Sequence, residues 1–115
     1  MKPLKHPAVK DITVEGILHA LNDQVRVQIF MQIAKAECPQ ICSAFIRIQG
    51  KNLAKSTLSR HFNVLRDAGL IRSERKGVEM HNTTRCKELK DRFGVMIGGI
   101  IAAYGAQEKA AKRRK

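Results

Sequence analysis

The chain has 115 residues, 22 Lys and Arg against 10 Asp and Glu, and a formal net charge of +12. One domain with a modest core is what this length allows, and a second copy would help to stabilise it. The cationic excess excludes an acidic or neutral character and favours a polyanionic partner, either nucleic acid or an anionic membrane surface.

Three cysteines, an odd number, exclude a closed set of intrachain disulfides, so reduced thiols and a cytoplasmic location are expected. Residues 1–12 lack the apolar core of a secretory signal. The most apolar run, Phe93 to Ala106, is shorter than the roughly 20 residues that span a bilayer, so no membrane insertion is expected. With no Trp and few other aromatics, a binder that stacks single-stranded bases is disfavoured.

Residues 1–12 are basic and proline-dotted and read as a flexible arm. A first helix starts near Asp11 or Thr13 and carries Ile17, Leu18 and Leu21 on its apolar side. Asn22-Asp23 interrupts it and caps a second helix, Gln24 to Ala36, with Val25, Ile29, Phe30 and Ile33 inward. Arg26 and Gln28 are expected to face elsewhere. Cys38-Pro39 opens a third segment, in which Ile41, Ala44, Phe45 and Ile48 have helical spacing. Ile46-Arg47-Ile48 also alternates as a strand would, but the helical reading is preferred.

After a turn over 50–55, the stretch from Lys55 to Gly69 is amphipathic. Leu58, Phe62, Leu65 and Ala68 form its apolar stripe, Ser56 is the expected N-cap, and Gly69 the C-terminal stop. Its outward residues are Lys55, Ser56, Thr57, Ser59, Arg60 and Asn63. Hydroxyls, an amide and cations near a helix N-terminus suit phosphate oxygens and base edges. Helix, turn and helix within about 30 residues is the arrangement that places a second helix in the major groove of double-stranded DNA.

Past Gly69 the period falls to two. Leu70 to Arg75 and Val78 to Thr83 read as strands joined at Lys76-Gly77, a basic hairpin or wing carrying Arg72, Arg75 and Lys76. A last helix runs from Arg85 to Ala111, with Leu89, Phe93, Met96, Ile97, Ile100, Ile101 and Tyr104 on a wide apolar face. Gly94, Gly98, Gly99 and Gly105 suggest a break at Gly94 or close approach of a neighbour. Residues 109–115 are a basic tail. The domain proper is therefore 13–108, mainly α with a small β-hairpin wing.

Taken together, these stretches resemble the ArsR/SmtB-type winged helix-turn-helix repressors. Ala20-Leu21-Asn22-Asp23 with Arg26 resembles the family's Leu-Ala-Asp-Pro-x-Arg segment, with Gln24 in place of proline. Ser56-Thr57-Leu58-Ser59-Arg60-His61-Phe62 through Leu65-Arg66-Asp67-Ala68-Gly69-Leu70 resembles its Ser-x-x-Ser-Arg-His-Leu…Leu-Arg-x-Ala-Gly-Leu signature. The resemblance implies a homodimer joined through the first and last helices, with Leu18, Phe93, Ile97, Ile100, Ile101 and Tyr104 at the interface. It implies a palindromic operator and repression relieved by an effector. Carried over by position, Ser56, Thr57, Ser59 and Arg60 face the major groove, and Arg75 and Lys76 reach the flanking backbone or minor groove. His61 matches the pattern too, but its place on the helix suits packing better than base reading.

The effector is open. Cys38-Pro39-Gln40-Ile41-Cys42 lacks the Cys-x-Cys and acidic residues of the family's arsenic sensors, and the last helix has no histidine for the family's zinc site. No residue is assigned to a metal and no cofactor is expected. In a helix Cys38 and Cys42 would lie one turn apart. Three roles compete for them: small packed side chains, a redox or electrophile switch, or a thiophilic metalloid site with Cys86 as third ligand. An effector-independent DNA-binding autoregulator and a membrane-surface or protein-interaction module are the other function classes. An enzyme is not expected, because no nucleophile–base pair, paired carboxylates or phosphate-cradling loop is recognisable.

Overall fold

In a computed structural model, described over residues 4–35, 40–41, 47–48 and 51–113, the chain divides into two compact units, Met1–Arg85 and Cys86–Lys115. The first unit opens with a 3-10 turn, Val9–Asp11, followed by α1 (Val14–Ala20) and α2 (Gln24–Lys35). Short strands β1 (Gln40–Ile41), β2 (Arg47–Ile48) and β3 (Lys51–Asn52) precede α3 (Lys55–Asp67), β4 (Ile71–Lys76) and β5 (Glu79–Thr84). The second unit is one helix, α4 (Cys86–Arg113).

The helix boundaries follow from capping. The Thr13 hydroxyl accepts from the Gly16 N–H at 3.0 Å and starts α1. The Asp23 carboxylate accepts from the N–H groups of Val25 and Arg26, at 2.8 and 3.1 Å, and starts α2 as expected from Asn22-Asp23. At α3 the expectation shifts. The N-cap is Ala54, which makes no side-chain cap bond, and Ser56 lies inside the first turn rather than at the cap. The C-terminal end is as read. Gly69 N–H donates to the Arg66 carbonyl and Leu70 N–H to the Leu65 carbonyl, each at 3.0 Å, with Gly69 at φ +86°. This is the Schellman pairing, and its left-handed residue suits glycine.

α2 packs on α3 and β5, and α1 and β4 also lie on α3. Ile17, Leu21, Val27, Ile29, Phe30, Leu58, Phe62, Leu65, Leu70 and Ile71 are all buried. Burial of each large apolar side chain contributes about 1.5–3 kcal/mol.

The helix expected across 39–49 is not present at the residues described there. Gln40–Ile41 pairs antiparallel with β5, and Arg47–Ile48 with Lys51–Asn52. β1 pairs with the edge of β5 that β4 does not use, giving a sheet of order β1-β5-β4. That pairing supplies partners for a row of main-chain groups, a non-local gain that helical spacing cannot register. The hairpin lies one residue later than read. Lys76 pairs with Glu79, so Gly77 and Val78 form the turn, Gly77 at φ +63° and Val78 97 % exposed.

The segment read as a free arm is tied down over residues 6–12. His6 Nε2 accepts from the Ser73 N–H at 2.9 Å, Arg85 Nη1 donates to the Pro7 carbonyl at 2.8 Å, and Ile12 is buried. α4 is continuous, with no break at Gly94.

Candidate nucleic-acid interface

α3 divides its residues between two faces. Leu58, His61, Phe62 and Leu65 are buried, and Lys55, Ser56, Thr57, Ser59, Arg60 and Asn63 are all exposed. Ser56, Ser59, Arg60 and Asn63 follow the i, i+3, i+4, i+7 spacing and share one side of the helix. Because Ala54 caps without a side chain, the positive end of the helix and the Ser56 and Thr57 hydroxyls lie together at the exposed first turn. Asn63 is already in use: its Oδ1 accepts from Arg66 Nη1 at 2.8 Å, which leaves its amide N–H groups as the outward-facing donors.

The wing supplies the second cationic element. Along β4 the buried Ile71 and Ser73 alternate with exposed Arg72 and Glu74, and Arg75 and Lys76 are exposed at the tip. The base of the wing is pinned by a buried pair. Ser73 Oγ donates to Asn82 Oδ1 at 2.6 Å, and Asn82 Nδ2 donates to the Met80 carbonyl at 3.3 Å. Such a satisfied polar pair disfavours a one-residue slip, which would leave it unpartnered in the core.

Behind α3 lies a bracket that the reading of Arg26 as facing away from the α2 stripe does not anticipate. Arg26 is half-buried. Its Nε donates to the Ala20 carbonyl at 2.7 Å, its Nη2 to the His19 carbonyl at 3.3 Å, and its Nη1 to His61 Nδ1 at 3.3 Å. Asp23 Oδ2 lies 3.7 Å from Nη1. His61 is 8 % exposed, in keeping with a packing role. Its pKa is lowered: burial is the largest influence, Asp23 opposes it, and Arg26 and Arg60 lower it further. The one sequence signal for this bracket is that Arg26 and His61 both lie in the stretches that carry the family resemblance.

Of the sensor residues, Cys38 and Cys42 lie outside the described residues. Gln40–Ile41, between them in sequence, is extended. Cys86 is a free, exposed thiol at the start of α4. Of the interface residues, Leu18 is 49 % exposed and Ile100, Ile101 and Tyr104 are half-buried. Phe93 and Ile97 are buried.

Residues 51–73, which span α3 and its approach to the wing, match the model of the arsR family of bacterial regulatory proteins. Among solved structures, an ArsR-like transcriptional regulator from Rhodococcus sp. RHA1 is 23 % identical, with 86 % of this chain and 89 % of that one aligned at a TM-score of 0.57. Reduced HlyU from Vibrio cholerae is 22 % identical over 78 % of this chain and 86 % of its own, at 0.59. A homodimeric winged helix-turn-helix DNA-binding domain from Mycobacterium bovis, described as a possible ArsR-family regulator, is 18 % identical over 84 % and 78 %, also at 0.59. No curated protein sequence matches the chain. In its fold the chain is a winged helix-turn-helix protein, and the sequence of α3 and its flanks is similar to the arsR family of bacterial regulatory proteins.

Proposed function

We propose that the protein is a homodimeric repressor that binds a palindromic double-stranded operator and is released by an effector. The observation that carries the DNA-binding part is the exposed face of α3. Hydroxyls, an amide and Arg60 project from one side, beside an uncapped positive helix end, while the opposite side is buried. In this reading Ser56, Thr57, Ser59, Arg60 and Asn63 face base edges and nearby phosphates in the major groove. Lys55, Arg75 and Lys76 neutralise flanking phosphates.

The dimer part is supported by the second unit. α4 has no charged residue from Phe93 to Ala106, yet Val95 is 94 % exposed and a Cβ added at Gly98, Gly99 or Gly105 would meet nothing within 4 Å. A helix apolar all round calls for cover, and a second copy provides it. Leu18, Ile100, Ile101 and Tyr104 are the proposed principal interface residues, with Phe93 and Ile97 behind them. A two-fold dimer presents two α3 helices to two half-sites, and this is why the operator should be palindromic.

Release by a thiol signal at Cys38 and Cys42 is the part of the proposal that rests on sequence alone. Selection of bound duplexes from a random pool, repeated with reductant, peroxide and As(III), tests the whole reading. A recovered inverted repeat supports the dimeric repressor. Recovery of no preferred sequence refutes it. Unchanged operator binding by parent and Cys38→Ser/Cys42→Ser chains under all three conditions refutes the thiol signal and leaves an effector-independent binder.

A further inference from the structure

We propose that Arg26 and His61 act together as positioning residues that set how α3 is presented to DNA. This inference rests on the DNA-binding reading of α3. The geometry is that of a bracket. One guanidinium takes the two last main-chain carbonyls of α1, at His19 and Ala20, lies beside the Asp23 carboxylate that caps α2, and reaches across to the buried side of α3. Three helices therefore meet at one rigid, five-donor fork. His61 is next in sequence to Arg60 and two residues from Ser59. Any rotation of α3 about its axis that moves the His61 ring off the fork also moves those outward side chains.

The bracket has a proton condition. A guanidinium only donates, so His61 Nδ1 must accept, and the neutral ring carries its hydrogen on Nε2. Protonation of Nδ1 sets donor against donor and cation against cation. The charged groups around the ring are Asp23 and Arg26 from α2 and Arg60 from α3 itself. α1 contributes main-chain carbonyls to the bracket. Only Asp23 favours the cation, and its carboxylate already caps α2 and faces Arg26. Acidification therefore loosens α3 from α1 and α2 without touching any outward-facing residue.

Two measurements test this. In the first, parent and variant chains bind a duplex selected by the parent and a scrambled duplex, at about pH 7.5 and about pH 5.5, either side of the ordinary histidine pKa. The readout is the ratio of the two affinities. His61→Leu and Arg26→Lys are expected to lower that ratio roughly tenfold, a change of the size of one misplaced specific contact. His61→Asn places an acceptor that does not titrate where Nδ1 was. It should restore the ratio and remove the parent's loss at the lower pH. A parent-like ratio in His61→Leu overturns the proposal, as does equal loss on both duplexes.

The second measurement needs no DNA. In the free parent chain, NMR titration of the His61 ring should move the backbone amides of Thr57 to Arg60 with the same midpoint, and His61→Asn should abolish that movement. Amides that stay in place overturn the proposal even if the substituted chains fold poorly. A parent chain that selects no duplex refutes the DNA-binding reading. The amide titration then decides separately whether the bracket holds α3.

Discussion

Replacing Gly69 by alanine tests the junction between α3 and the wing. Gly69 has φ +86°, where an L-residue pays for its Cβ by about 1–2 kcal/mol. The added Cβ would also clash with Ile12 Cδ1 and sit 2.6 Å from its Cγ1. Ile12 is 3 % exposed and cannot swing into solvent without losing its burial. Overpacking of this kind costs about 1–3 kcal/mol, so Gly69→Ala should destabilise the chain by roughly 2–5 kcal/mol in total. Urea unfolding followed by circular dichroism measures this, with the change read from the midpoint at constant slope. The two contributions separate in a double-mutant cycle. Gly69→Ala should cost much less in an Ile12→Ala background, where the steric part is gone and the backbone part of about 1–2 kcal/mol remains. A loss under about 0.5 kcal/mol in the parent background, the usual range for an uninvolved surface site, would refute the reasoning. A cost independent of Ile12 would show that the clash plays no part.

Four further outcomes are expected. Arg60→Ala should cost roughly 1–3 kcal/mol on the selected operator and much less on random duplex, and equal loss on both would reduce Arg60 to a phosphate contact. Lys76→Ala should weaken binding about equally on all sequences and lower the slope of log affinity against log salt by about 1. Asp23→Ala removes the α2 cap at Val25 and Arg26 and should cost about 1 kcal/mol in thermal or urea unfolding. The pKa of His6 is lowered, first by burial and then by Arg72, Arg66 and Arg85, and its neutral Nε2 accepts from Ser73. The unfolded chain therefore binds that proton first, so stability is full above about pH 6.5 and falls as pH drops below it. His6→Leu should flatten this part of the profile, and an unchanged profile would show that His6 does not contribute.

Much of α3 and its surroundings was legible in the sequence because it is built from local rules. Period 3.6 in Leu58, Phe62 and Leu65 marks the buried side of α3, and with it the outward residues Ser56, Thr57, Ser59, Arg60 and Asn63. Asp23 and Gly69 mark helix ends because a carboxylate satisfies orphan N–H groups and a glycine accepts a left-handed φ. The alternation after Gly69 marks the wing. Each of these depends on residues within a turn or two of one another, and so does the family pattern that the same stretch carries.

Tertiary structure decided what depends on distant partners. Gln40–Ile41 is extended because the free edge of β5 pairs with it, about 40 residues away in sequence, and that gain outweighs a helical spacing of apolar residues. His6 and Pro7 lie against Ser73 and Arg85, a pairing that no local pattern encodes. Arg26 turns inward although the helical wheel allows it to face water, because two carbonyls at the end of α1 and the Nδ1 of His61 converge on its fork. Local propensity and amphipathic spacing thus determined which face of α3 is presented. Hydrogen bonds between groups remote in sequence decided what holds that face in place.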